Sequence, residues 1–225
     1  MPLRLIVGNK NYSSWSLRPW LAMTVAGIPF EEEVLPLHTP AFKARLAEVS
    51  PAGRVPVLID GDVHVWESLA ILEYLNDAFP QARLWPQEAK ARAHARVVAN
   101  EMHAGFLPLR RACPMNLWRP VTAPALAPDV QANVKRIDEM WSDCRDRFGA
   151  GGPFLFGAFT AADAMYAPVV SRFRTYGIAV SPASRGYMAA IQALPAWRAW
   201  HSAGIAEPWL LPHDEPDWPT VLREA

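Results

Sequence analysis

Four hydroxyl-bearing side chains lie close together near the N-terminus of the chain: Tyr12, Ser13, Ser14 and Ser16. They follow an apolar run at residues 3–7 and precede helix-forming residues that end at Gly27, an order that predicts a strand, a loop and a helix. Serines at a helix start commonly accept hydrogen bonds from its free N–H groups, so ordinary capping explains them. The same helix start would also favour an anion such as a carboxylate or a thiolate.

Two further segments place polar groups at the ends of predicted elements. Val55 and Pro56 lead into an apolar run, and the proline indicates either an edge strand or a cis peptide bond. Glu67 and Ser68 begin a helix whose apolar residues recur at spacings of three and four. A peptide laid beside Val55 could gain main-chain hydrogen bonds, and the helix start could hold a carboxylate.

The remaining residues narrow the possible functions. The six histidines show no HxxxH or HExxH spacing, and Cys113 and Cys144 form no CxxC pair, so we expect no metal site. GxSxG, GxGxxG and GxxxxGK[ST] motifs are missing. The 22 basic and 22 acidic residues balance, which gives no electrostatic reason for a nucleic acid or a membrane partner. We expect reduced thiols in a cytoplasmic protein without a signal peptide or membrane span.

The elements that must position these groups are of two kinds. The chain up to residue 78 alternates strand and helix patterns in the order β-α-β-α-β-β-α, which predicts a small mixed sheet with helices packed against it. The predicted strands occupy residues 3–7, 30–37, 55–59 and 63–66, and an Asp-Gly turn joins the last two. The first predicted helix follows Ser16, the second covers residues 41–48, and the third begins at Glu67.

The rest of the chain has helical periodicity. Residues 79–87 contain two prolines and no regular period, and we interpret them as a linker between a domain at residues 1–78 and an all-α domain at residues 88–225. Thr160 and Asp163 form a capping box at the start of one helix. The other predicted helices cover residues 89–109, 130–148, 184–194 and 195–205.

Taken together, these segments resemble the cytosolic glutathione S-transferases, with matches in family order over most of the chain. The resemblance implies a thioredoxin-like N-terminal domain, a helical-bundle C-terminal domain and a homodimer that uses glutathione as co-substrate. It also implies that the residue before a cis-proline binds the cysteinyl part of glutathione and that a Glu-Ser pair holds the γ-glutamyl end. The implied glutathione-binding residues are Val55, Pro56, Glu67, Ser68 and Arg54, with Lys43 and His38 as weaker candidates.

The serine motif, Ser13-Ser14-Trp15-Ser16, resembles that of the zeta class, which begins Ser-Ser-Cys. The resemblance implies that Ser13 donates a hydrogen bond to the glutathione sulfur; Ser14 and Ser16 could substitute for it, and Tyr12 is the next candidate. Lowering a thiol pKa of ~8.5 by ~2 units requires about 2.7 kcal/mol of preference for the thiolate. A charge-assisted hydrogen bond and a helix N-terminus can supply it.

We therefore expect an enzyme that conjugates glutathione thiolate to a small, apolar electrophile. Two alternatives stay open: a glutathione-dependent cis-trans isomerase of the zeta (maleylacetoacetate isomerase) type, and a glutathione-binding or scaffold protein with little catalysis. Trp15 replaces the zeta-class cysteine, and Thr175 stands where that class has an arginine, which weakens the isomerase interpretation. The electrophile site is expected between the domains, although packing also explains its candidates: Phe106, Arg110, Met115 and Trp118.

Overall fold

The computed structural model describes residues 2–212 and 215. The first third of the chain forms one mixed sheet of four strands: β1 (Leu3–Gly8), β2 (Phe30–Leu35), β3 (Val57–Asp60) and β4 (Val63–Trp66). The strand order is β2-β1-β3-β4, with β1 parallel to β2 and antiparallel to β3, and β3 antiparallel to β4. The predicted hairpin between the last two strands is thus confirmed.

Three helices cover the two faces of this sheet: α1 (Ser14–Val25), α2 (Pro40–Val49) and α3 (Ser68–Ala78). Successive residues of β1 point to opposite faces, as the pleat of a strand requires. Leu5 and Val7 join the main core together with α1 and α3, whereas Ile6 packs with Phe42 and Leu46 of α2 on the other face. The start of α1 and the start of α3 consequently lie on the same side of the sheet.

The remainder of the described chain is helical: α4 (Ala89–Ala104), α5 (Leu107–Ala112), α6 (Pro128–Phe148), α7 (Ala161–Thr175), α8 (Pro182–Ala193) and α9 (Pro195–Ala206). The central helix is α7, whose residues are buried except for Arg174, and it packs against both α1 and α4. The predicted capping box is present, because Asp163 Oδ2 accepts hydrogen bonds from Thr160 N at 2.7 Å and Thr160 Oγ1 at 2.9 Å.

Three sequence predictions of element bounds were wrong. The single helix predicted at residues 89–109 is interrupted at Gly105 and Phe106, where Phe106 has a left-handed φ of 61° and Pro108 lies in the first turn of α5. The strand predicted at 30–37 ends at Leu35, immediately before Pro36. The strand predicted at 55–59 begins at Val57, and the Val55–Pro56 peptide bond that precedes it is cis.

The segment between α3 and α4 is more ordered than an irregular linker. It contains a short 3-10 helix at Pro80–Ala82, and the side chains of Leu84 and Trp85 are 2% and 1% exposed. The two cysteines, Cys113 and Cys144, are both buried and unpaired. Within residues 2–212 and 215, no helix is long and apolar enough to cross a membrane.

Candidate active site

A cavity of about 260 Å³ opens beside the end of β4 and the start of α3. It brings together the five principal glutathione-binding residues that the sequence predicted: Arg54, Val55, Pro56, Glu67 and Ser68. Its other lining residues, which sequence reasoning did not identify as glutathione contacts, are Trp15, Ala52, Trp66 and His103. Lys43 and His38 are exposed and are not among the residues that line the cavity.

Glu67 is held at the cavity by an unusual backbone conformation. It precedes the first residue of α3 with a φ of 70°, which is uncommon for a residue with a side chain and costs of order 1–3 kcal/mol. Its carboxylate lies 3.6 Å from Nε2 of His103, which α4 contributes. Burial and the charge of Arg18 lower the pKa of His103, so the ring is uncharged at pH 7 and does not neutralise Glu67.

Ser68 lines the cavity, and the buried Arg18 lies behind it. The Arg18 side chain is 1% exposed, and its Nη1 donates a hydrogen bond to Ser68 Oγ at 3.2 Å. Burial, Arg110 and Arg172 all lower the pKa of Arg18, but a guanidinium starts from so high a value that it keeps its charge. A fixed positive charge thus lies behind the start of α3, where it adds to the attraction of the helix start for an anion.

Trp15 connects Arg18 to the helical part of the chain. The guanidinium carbon of Arg18 lies 4.1 Å from the centre of its ring, and that of Arg110 lies 4.7 Å from it. The ring also meets His103 edge-on, with 5.3 Å between ring centres. These contacts fix the indole at the cavity wall through cation–π and aromatic interactions. The sequence signal for this arrangement is the spacing of three between Trp15 and Arg18, which places both on one helix face.

The four candidate hydroxyls differ in what they can reach, and none of them is among the residues that line the cavity. Ser13 caps α1, and its Oγ donates to Ser16 Oγ at 2.7 Å. Ser16 is fully buried and accepts a further hydrogen bond from Gly8 N at 3.0 Å, so its role is structural. Among the described residues, the Ser14 hydroxyl has no hydrogen-bond partner.

Tyr12 is engaged by the C-terminal segment. Its hydroxyl donates to Glu215 Oε1 at 2.8 Å, and its ring meets Trp118 edge-on at 5.6 Å. Burial and the hydrogen bond to Glu215 raise the pKa of Tyr12 far above its ordinary value, so the group remains a neutral phenol. In this arrangement the Tyr12 hydroxyl is turned toward Glu215.

The four residues predicted for the electrophile site do not meet at one cavity. Arg110 lies against Trp15 and donates hydrogen bonds to the carbonyl groups of Met102 and His103. Phe106 and Met115 are 8% and 2% exposed and belong to the main core. Trp118 lines a separate cavity at the end of α7. No group of three His, Cys, Asp or Glu side chains within the described residues could hold a metal ion.

The described chain thus combines a small four-stranded sheet that has helices on both faces, a cavity at the start of α3 and a helical second half. Residues 12–78 match the family model for the glutathione S-transferase N-terminal domain, and residues 124–203 match that for the C-terminal domain. The two models together span more than half of the chain. The chain therefore belongs to the glutathione S-transferase family, and its N-terminal domain has the thioredoxin-like fold.

The chain is also similar to individual relatives. A Rattus norvegicus protein named maleylacetoacetate isomerase is 26% identical over 94% of this chain and 94% of its own length. A Caenorhabditis elegans protein named probable maleylacetoacetate isomerase is 37% identical over 43% of this chain, and the match covers 45% of that relative. A glutathione transferase homologue from Burkholderia BGR1, solved with bound glutathione, superposes with a TM-score of 0.68 and 23% identity over 91% of this chain and 98% of its own. The predicted family and its likeness to the zeta class are confirmed.

Proposed function

We propose that this protein is a glutathione transferase that joins the thiolate of glutathione to small, apolar electrophiles. The proposal rests on the convergence of Arg54, Val55, Pro56, Glu67 and Ser68 on one cavity next to the first turn of α1. A bound tripeptide could pair with the main chain at Val55, place its α-carboxylate at the start of α3 and bring its ammonium group to Glu67.

Thiol activation is assigned in this proposal to Ser13. Its hydroxyl donates to Ser16 Oγ, and rotation about one side-chain bond would turn the proton toward a sulfur while Ser16 keeps the hydrogen bond from Gly8 N. The thiol pKa must fall by ~2 units, which corresponds to about 2.7 kcal/mol. The hydroxyl, the N-terminus of α1 and the cation of Arg18 together can supply that preference. Ser14 is the alternative donor.

Isomerisation of an anionic substrate is the second candidate. Two cations, Arg18 and Arg110, pack on the ring of Trp15, which lines the cavity. Positive charge behind this part of the wall suits a carboxylate-bearing substrate. The similarity to the rat maleylacetoacetate isomerase over 94% of both chains supports the same reaction class. Against it, Thr175 has no positive charge, and its hydroxyl donates to the carbonyl group of Asn116 at 3.5 Å.

The experiment compares wild type with Ser13→Ala, Ser14→Ala and the double variant. We expect Ser13→Ala to raise the pKa of bound glutathione, read from thiolate absorbance, by ~1–2 units and to lower conjugation of a generic aryl halide at neutral pH about 10- to 100-fold. The affinity for glutathione should change far less. The same loss in Ser14→Ala alone would transfer the role to Ser14, and an unchanged double variant would show that serine activation is wrong.

Binding and product identity separate the remaining functions. Calorimetry with glutathione tests the cavity directly, and a wild-type protein that neither binds glutathione nor gains thermal stability from it rules out both enzyme proposals. Tight binding with negligible turnover of a panel of electrophiles would leave the binding or scaffold role. Chromatography of a cis-dicarboxylate incubated with protein and glutathione distinguishes isomerisation from thioether formation.

A further inference from the structure

A second cavity, of about 220 Å³, lies in the helical part of the chain and shares no lining residue with the cavity at α3. It is bounded by the segment after α5, the last turn of α7 and the face of α9 that carries Trp197, His201 and Ile205. Its lining includes two indoles, three basic side chains and two hydroxyls: Trp118, Trp197, Arg119, Arg174, His201, Ser171 and Thr175. The proposed glutathione chemistry uses none of these groups.

The apolar wall of this second cavity is preformed. Trp118 and Trp197 are 1% and 4% exposed, and Ile205 beside them is 6% exposed. Trp118 is fixed because its Nε1 donates a hydrogen bond to the carbonyl group of Gly204 at 3.0 Å. A ligand ring entering here would meet two held aromatic surfaces, so little ordering free energy would be lost on binding.

The polar part of the lining is basic. Arg119 is held by a hydrogen bond from its Nη1 to the Tyr176 hydroxyl at 3.1 Å, and Arg174 is the one exposed residue of α7. Within residues 2–212 and 215, no Asp or Glu lines this cavity. Burial and the charge of Arg174 lower the pKa of His201, which leaves a neutral ring able to donate a hydrogen bond. This sign of charge selects an anion and rejects a cation.

The size of the cavity limits the ligand. Sites for drug-sized molecules typically have volumes of about 300–1,000 Å³, and this cavity is smaller. We propose that the second cavity binds an aromatic monocarboxylate with a single ring, which lies against Trp118 and Trp197 while its carboxylate meets Arg174 and His201. This inference does not depend on glutathione binding.

Benzoate and benzamide test the proposal as a matched pair, because they share the ring and differ in charge. We expect calorimetry to give one benzoate site per chain, unchanged by saturating glutathione, and at least about fivefold weaker binding of benzamide. Arg174→Gln should weaken benzoate binding by about fivefold or more. Arg198→Gln removes the same charge from an exposed position on α9 that does not line the cavity, and it should leave the affinity unchanged.

Three outcomes would overturn the inference. Benzamide could bind as tightly as benzoate, or Arg174→Gln could behave like Arg198→Gln, and in either case the basic side chains do not select the ligand. Benzoate could be displaced by glutathione or compete with the electrophile in the conjugation assay, which would place it in the active site. Trp197→Phe gives an independent readout, because removing this indole should diminish the change in tryptophan fluorescence that benzoate binding causes. Thermal unfolding confirms that the variant is folded.

Discussion

His103 is the residue that joins the helical part of the chain to the glutathione end of the candidate active site. Its Nε2 lies 3.6 Å from the Glu67 carboxylate, and its ring packs edge-on against Trp15. Burial and Arg18 lower its pKa, and Glu67 opposes that effect. A neutral His103 leaves Glu67 available for the ammonium group that our proposed function brings to it, whereas a protonated His103 would pair with Glu67 and compete with the ligand.

We therefore predict that the affinity for glutathione falls as the pH drops from about 6.5 to 5, the range below the ordinary histidine pKa. The free energy of unfolding should also fall as the pH drops. Because the folded-state pKa of His103 lies below its unfolded value, the stabilising contribution is present above that unfolded value and is lost as the pH falls through the folded pKa. Calorimetric titration of wild type and His103→Gln with glutathione at several pH values measures the change in affinity. The affinity of the variant should depend less on pH.

His94 supplies the matched control for this measurement. It lies on the same helix, its pKa is also lowered by burial, and it contacts Asp143 at 3.4 Å, away from the cavity. His94→Gln should keep the wild-type pH profile of glutathione binding. A profile that stays steep in His103→Gln, or becomes flat in His94→Gln, would contradict the assignment.

The meeting of predicted residues at one cavity depends on signals of different range in the sequence. Val55, Pro56, Glu67 and Ser68 could be predicted because each stands at a recognisable element end and in family order. Trp15 was noted only as a replacement for a cysteine. Its role depends on Arg110, which is distant in sequence but lies 4.7 Å from the Trp15 ring in the folded chain. No local sequence pattern encodes that approach.

The start of α7 is held by a buried carboxylate that belongs to its capping box. The Asp163 carboxylate is fully buried and accepts hydrogen bonds from Leu155 N, Thr160 N and Thr160 Oγ1 at 3.0, 2.7 and 2.9 Å. Burial raises its pKa to about 6 against these hydrogen bonds. We predict that Asp163→Ala lowers the free energy of unfolding by about 3 kcal/mol, because buried donors lose their acceptor. Urea denaturation measures the change.

Asp129 is the control for this prediction, because it stands in the first turn of α6 and its Oδ1 accepts a hydrogen bond from Val130 N at 2.8 Å on a partly exposed surface. Asp129→Ala should cost under about 1 kcal/mol. Equal losses in the two variants would mean that helix-start charge, and not burial of the capping box, determines stability here.

Elements were predicted well where the signal is local. The Asp-Gly hairpin, the capping box and the amphipathic α6 each depend on a few adjacent residues or one period. The break between α4 and α5 was missed although Gly105 and Pro108 lie there, because apolar residues continue at helical spacing across it. The extent of β2 was overestimated for the same reason, since Leu37 continues the apolar pattern past Pro36.

At the scale of the whole molecule, the C-terminal segment is bound to the loop that begins α1. Glu207 follows α9 and is 8% exposed, and its two carboxylate oxygens accept hydrogen bonds from Lys10 N at 2.7 Å and Asn11 N at 3.1 Å. Leu211 packs with Tyr12 and Trp118 nearby. These contacts join residues almost two hundred positions apart, so sequence periodicity could not have predicted them. They link the position of the loop that leads into Ser13 to the folding of the C-terminal segment.

Glu207→Ala leaves two buried main-chain donors without acceptors, so we expect it to lower the free energy of unfolding by about 2–3 kcal/mol. The loop from Lys10 to Tyr12 leads directly into Ser13, and the proposed glutathione contacts lie immediately before β3 and at the start of α3. The same variant should therefore lower turnover more than it weakens glutathione binding. Urea denaturation and separate kcat and glutathione Kd measurements check both parts. Glu207→Gln keeps an acceptor oxygen for one donor and should lie between the alanine variant and wild type. A variant that loses stability while kcat remains at the wild-type value would show that the segment stabilises the fold without positioning the loop.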